Sequence, residues 1–310
     1  MVVFADSTAK KVLHVKNNEV YVLGKGDQYL QLHELVLDDG AQLVLGDGVD
    51  FLSLTATNVK IGSAVKIIAK GKSGKPGTYA SSLSEASACA EPQPGLPGGN
   101  GKLGHQGKDI QLTLDVIAFG DLTVDVSGGQ GGQGGQGGNG QSADQGDNCS
   151  LMAGGDAGPG GNAGNGGNGG NVKIAYSASN TALLVKAKQD TRVMADGGLA
   201  GIAGDAGTAG KGSAGRYIVK KTLTGNKKWV SGGGNGKRAK NGNDGKNGQR
   251  GRVDVTIVTS DTVVTPIAVM PSPEEQTQLS INSLSAEERL TVLEEKYFLL
   301  LKRIEKLETK

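Results

Sequence analysis

The residues best suited to contact chemistry lie between Lys211 and Arg252, where twelve Lys or Arg stand against one acid, Asp244. Within this stretch, Tyr217-Ile218-Val219, a polar turn near Leu223–Lys227 and Trp229-Val230 read as a β-hairpin carrying the only Trp of the chain. Tyr and Trp beside Lys offer an apolar ring with a polar rim, which suits a glycan or another anionic surface. The candidate binding residues are therefore Tyr217, Lys220, Lys221, Lys227, Lys228, Trp229, Lys237 and Arg238. A Trp that packs the base of the hairpin accounts for the same pattern. The basic residues suit lipopolysaccharide phosphate, an acidic glycan or, less well, nucleic acid. A solvated surface balanced elsewhere is the plain alternative, since the net charge of the chain is only +2.

Other chemistries find little support. The many Gly-x-Gly-x-x-Gly matches carry no weight in a chain with 53 Gly. The nearest approach to a phosphate-binding loop, Ser231–Arg238, has the wrong residue at both ends. His14, His33 and His105 are scattered, and Cys89 and Cys149 stand apart at no metal-ligand spacing. Those two cysteines fit either one bridge or two free thiols. Asp38, Asp39, Asp47 and Asp50 sit in adjacent turns, where turn geometry explains them as well as calcium does. The expectation is a protein without enzymatic activity, metal or cofactor.

The elements that must position the basic hairpin are dominated by glycine. Gly recurs at every third residue in blocks, among them Gly95–Gly107, Gly128–Gly140, Gly155–Gly170, Gly198–Gly210 and Gly242–Gly251. Period three matches a left-handed helix of three residues per turn, and a bare edge lets backbones approach closely. Apolar-alternating runs at Ile110–Val126, Val172–Ala187 and Val253–Val258 interrupt the blocks. These short, Pro-poor blocks favour an intramolecular polyglycine-II bundle over a collagen-like trimer or disordered loops. Charge is segregated as well. Seven Asp and no Lys, Arg, Glu or His occur between Asp109 and Asn171, which suggests that one face or end is acidic and another basic.

Before the glycine blocks, residues 1–70 read as a β domain. Val12–Val15 and Val20–Val22 suggest a hairpin, and short strands follow at Tyr29–Leu37, Gln42–Leu45, Phe51–Leu54, Val59–Ile61 and Val65–Ala69. A sandwich is favoured over a solenoid. The glycine-rich body spans 71–258, and a Pro-containing linker covers 259–284. A capped helix spans 285–310, with Ser285 three residues before Glu288. Leu290, Leu293, Tyr297, Leu300, Ile304 and Leu307 follow a coiled-coil-like 3-4 spacing, and Leu301 widens the apolar face toward oligomerisation or docking. No segment is long and apolar enough to span a membrane, and Met1–Asp6 does not look like the start of a signal peptide.

The Gly-x-x blocks resemble the tip adhesins of T-even-type phage tail fibres, polyglycine-II sandwiches that bind receptors through loops. The run Gly166-Gly-Asn-Gly-Gly-Asn171, feeding Val172–Tyr176, and Ala195-Asp-Gly-Gly198 also resemble the glycine-rich N-terminal domain of Obg GTPases. Without a phosphate-binding loop, the GTPase activity does not carry over. The resemblance to adhesins implies a structural or adhesive subunit of a fibre, filament or surface assembly, extracellular or on a virion, that self-assembles. The Obg resemblance implies instead an intracellular module contacting RNA or a large complex. The expected fold class is mainly β with a polyglycine-II helix bundle, an N-terminal sandwich or solenoid-like domain and a C-terminal coiled-coil-like helix.

Overall fold

The structure, a computed structural model, describes residues 12–81, 83, 86, 89–145, 150–219 and 225–258. The chain divides into two compact units, Met1–Ser260 and Asp261–Lys310, and the second lies wholly outside the described residues.

Short apolar-alternating runs dominate the first unit, and most of those up to residue 125 become strands that bury alternate side chains. They are β1 (Val12–Val15), β2 (Val20–Leu23), β3 (Tyr29–Leu32), β4 (Glu34–Leu37), β5 (Gln42–Leu45), β6 (Phe51–Ile61) and β7 (Val65–Ile68). Beyond the first glycine blocks follow β8 (Asp109–Phe119), β9 (Leu122–Asp125), β10 (Val172–Ser177), β11 (Thr191–Met194), β12 (Arg216–Val219), β13 (Lys227–Val230) and β14 (Val253–Ile257). All pairings are parallel except β12 with β13. One sheet runs β1-β4-β6-β8-β10-β14, with β3 also on β6; the other runs β11-β9-β7-β5-β2. The chain alternates between the two sheets, so it winds as a solenoid.

Parallel winding stacks like on like. Leu30, Leu54, Leu112, Ile174 and Val255 are register partners across successive strands of the first sheet. Leu43, Ile67, Val124 and Val193 form the matching row in the second. The two rows belong to one apolar core between the sheets. Tyr176 is buried in it, edge-on to Phe119 with ring centroids 5.6 Å apart. Burial pushes the Tyr176 hydroxyl up to about 12, against a smaller opposing effect of its 2.7 Å bond to Thr191 Oγ1. A single short helix among the described residues, α1 (Thr181–Gln189), bridges β10 and β11. Asn180 caps it, its Oδ1 accepting the Ala182 N–H, and Leu184 and Ala187 pack into the core.

The glycine segments are drawn-out connections of this winding. Residues 71–80, 128–140 and 197–212 leave β7, β9 and β11; residues 95–107, 154–170 and 232–251 return to β8, β10 and β14. Bonds one turn apart therefore join residues separated by 24 at the start of the chain, as in His14–Asp38. The separation is 62 for Asn100–Asn162 and 81 for Asn162–Asn243. Each segment bonds its neighbours at every third residue. Gly128, Gly131, Gly134 and Gly137 donate to the carbonyls of Asp196, Leu199, Ile202 and Asp205; Gly129, Gly132, Gly135 and Gly138 donate to those of His105, Lys102, Gly99 and Leu96. Glycine is needed because the neighbours are backbone: a Cβ on Gly161 would be driven into the Gly99 carbonyl.

Several expectations are overturned. The expected polyglycine-II bundle beside a separate N-terminal sandwich is not the architecture of the described residues. Among the described residues the chain is mainly β, with one short helix and two parallel sheets whose strands interleave. Triplet spacing reports close backbone approach but not the strands that flank it, and β6 pairs directly with β8 across the first glycine blocks. The Val12–Val22 hairpin is absent, since β1 and β2 belong to different sheets. The strand expected over Val172–Ala187 ends at Ser177 and gives way to α1. The expected C-terminal helix, with Leu290, Leu293, Tyr297, Leu300, Leu301, Ile304 and Leu307, falls on residues outside the described ones.

A candidate binding surface at the tip

The far ends of the three drawn-out connections meet. The Cys89 N–H donates to Asp144 Oδ2 at 3.2 Å, and the Gln93 N–H donates to Gln141 Oε1 at 2.8 Å, joining the first connection to the second. Ala214 N–H donates to Gln145 Oε1 at 2.7 Å, joining the third. Ser213, the only buried polar side chain among the described residues, accepts the Met152 N–H at 3.1 Å and donates to the Asp144 carbonyl at 3.3 Å. Cys89 is disulfide-bonded, which answers the open question of its thiol state. The sequence gives no direct sign of the latches made by Asp144, Gln145 and Ser213, because their partners are remote in the chain.

From this latched tip projects the hairpin of β12 and β13, the one antiparallel pair among the described residues. Tyr217 and Trp229 are directly opposed in its register, with ring centroids 4.9 Å apart and planes at 64°. Both rings remain exposed, Tyr217 at 66% and Trp229 at 52%. The inner edge of the Trp ring lies against Gly215, where a Cβ would come within 2.6 Å of Trp229 Cζ2. The ring thus packs the hairpin base and faces solvent at once. Strand alternation puts Val219 and Lys227 on the aromatic face, and Arg216, Ile218 and Lys228 on the reverse. An 80 Å³ pocket beneath, lined by Asp144, Ser213 and Arg216 among others, has room for water rather than an organic ligand. Contact with a partner would fall on the outer surface.

The remaining candidates separate. Lys220 and Lys221 lie outside the described residues. Lys237 and Arg238 stand on the return segment, not on the hairpin. Lys237 is tied through its N–H to Asp156 Oδ1, and Arg238 occupies the neighbouring triplet position. The Asp-rich stretch does not form an acidic end. Asp109, Asp121, Asp144 and Asp156 each accept a backbone N–H from another turn of the winding, at places running from the sheets to the tip. The Asp turns are occupied in the same way. Asp38 bonds His14, Asp39 accepts the Ser63 N–H, and a hydrogen bond from Lys72 holds the Asp47 carboxyl below its usual range. No group of three or more His, Cys, Asp or Glu able to hold a metal occurs among the described residues.

Comparison with known proteins finds no match to a protein-family model, a curated protein or a solved structure.

Proposed function

We propose that this chain is a non-catalytic adhesive and structural subunit of an extracellular or virion-borne assembly, which presents the β12–β13 hairpin to a surface receptor. The observation that carries the reading is the Tyr217–Trp229 pair. Two large rings held half-exposed against each other cost exposed apolar area, and a site that buries them on contact recovers it. The latched tip supports the reading, because fixed anchors lose little entropy on binding. The glycine ladder behind it, bonded in two directions, keeps the hairpin at a set distance from the sheets. Self-assembly through the apolar residues between 290 and 307 completes the proposal.

Adsorption of the full chain to Gram-negative cells and to lipopolysaccharide tests the tip. Trp229→Ala and Tyr217→Ala should each weaken it by about tenfold or more, as anchor residues do. Equal adsorption by the wild type and both variants would contradict the reading. Light scattering of the chain with and without residues 285–310 tests the assembly; a monomer in both cases would remove that part.

A further inference from the structure

The return segment 232–251 and its continuation into β14 display a second feature that the tip does not use. The carbonyls of Lys237, Lys240, Asn243, Lys246, Gln249 and Arg252 accept, in that order, the N–H groups of Ala157, Gly160, Ala163, Gly166, Gly169 and Val172, at 2.8–3.1 Å. A common bonding register puts these six residues in one row, and all are exposed. Four of the six are Lys or Arg. Among the described residues none of the four is in an ion pair, whereas Arg250, in the adjacent row, lies 3.6 Å from Asp196. Asp244 also belongs to that adjacent row, where it accepts the Ala203 N–H.

Alongside runs a row of amides. Asn162, Asn165, Asn168 and Asn171 each accept, through Oδ1, the N–H of the residue 81 positions on, at 2.8–2.9 Å. That bond occupies each Oδ1 and holds the amide in place, and no described partner engages the Nδ2 donors. The face therefore combines a line of unpaired cations with a parallel line of amide donors.

We propose that this face binds an extended acidic polysaccharide, with carboxylates on Lys237, Lys240, Lys246 and Arg252 and sugar hydroxyls on the Asn ladder. Spacing selects the ligand. Three residues of nearly extended chain advance about 9–10 Å, so Lys237 and Lys240 stand one such step apart, and Lys240, Lys246 and Arg252 follow at two-step intervals. A sugar chain acidic at every second residue offers charges at a comparably sparse interval. Duplex nucleic acid carries one charge per about 1.7 Å, and single strands are held by aromatic stacking. The amide and cation rows contain no Phe, Tyr or Trp. The proposal stands apart from the role of the hairpin.

Hyaluronate, with one carboxylate per disaccharide, is the probe, and its binding to the full chain at low salt is the measurement. The substitution of Lys237, Lys240, Lys246 and Arg252 by Gln together should weaken binding by about tenfold or more, and salt should weaken it for the wild type. Asn243→Lys with Gln249→Lys fills the gaps and should tighten binding several-fold at unchanged melting temperature. Trp229→Ala should leave it alone. The proposal is overturned by any of four results: no wild-type binding, equal binding of the Gln variant, equal binding of neutral dextran, or tighter binding of duplex DNA of matched length.

Discussion

Leu112 and Gly161 occupy comparable places in this molecule, each in the middle of a stack of chain segments, and are held by opposite means. Leu112 is 1% exposed and lies between Leu54 and Ile174, so what surrounds it is side chain. Gly161 donates its N–H to the Gly135 carbonyl and accepts that of Gly204, and what surrounds it is backbone. The sheets derive stability from apolar area removed from water. The glycine segments have almost no such area, and their cohesion comes from a hydrogen-bond ladder repeated at every third residue. In the first region identity is loose and volume matters; in the second, a side chain at a position pressed against backbone on the other side, as at Gly161, is an intrusion.

The largest expected effect follows from that intrusion. Gly161→Ala forces backbones apart that cannot repack, and should cost about 4 kcal/mol or more in denaturant unfolding. Gly234→Ala, where nothing lies within 4 Å of the added methyl, should stay within about 0.5 kcal/mol. If the two were equal, the contrast between the regions would fail. Next, Leu112→Ala should cost about 3 kcal/mol through lost burial and a cavity.

A pH series sharpens the same contrast. Tyr176 is raised from 10.0 to about 12 by burial in the sheet core. Its neutral form is the one the fold keeps, so its contribution is complete below pH 10 and is lost as pH rises toward 12. Tyr176→Phe should remove a component on the order of 2 kcal/mol from the alkaline fall in stability. An unchanged alkaline profile in that variant would count against its burial. A small effect should come from Asn165→Ala, which deprives the Lys246 N–H of its side-chain acceptor. A loss of about 1 kcal/mol or less is expected from thermal unfolding, since water can replace the amide at that exposed position.

Strand positions were largely legible because alternation of apolar residues reports one buried face directly. Their partners were not. Alternation in Val12–Val15 and Val20–Leu23 is the same whether the two runs pair as a hairpin or enter separate sheets. The helix α1 was missed because Ala182–Val185 is a short apolar run; its signals were Asn180 at the start and Lys186 and Lys188 in the last turn. The β12–β13 hairpin was readable from its turn and flanking apolar residues. The cation row was visible only as a basic stretch. Splitting Lys237 from Arg238 requires knowing that Lys237 bonds the 154–170 segment, while residues in register with Arg238, such as Asn241 and Asn247, bond the 197–212 segment.

Amide hydrogen exchange across residues 128–140 tests the central claim most directly. Each triplet holds two glycine N–H groups bonded to neighbouring segments, as at Gly131 and Gly132, beside a residue such as Gln133 on the exposed side. The account predicts protection with period three, two slow amides and one fast, the slow ones approaching those of Leu112 and Ile174. Uniformly fast exchange, or protection at alternate residues, would contradict it.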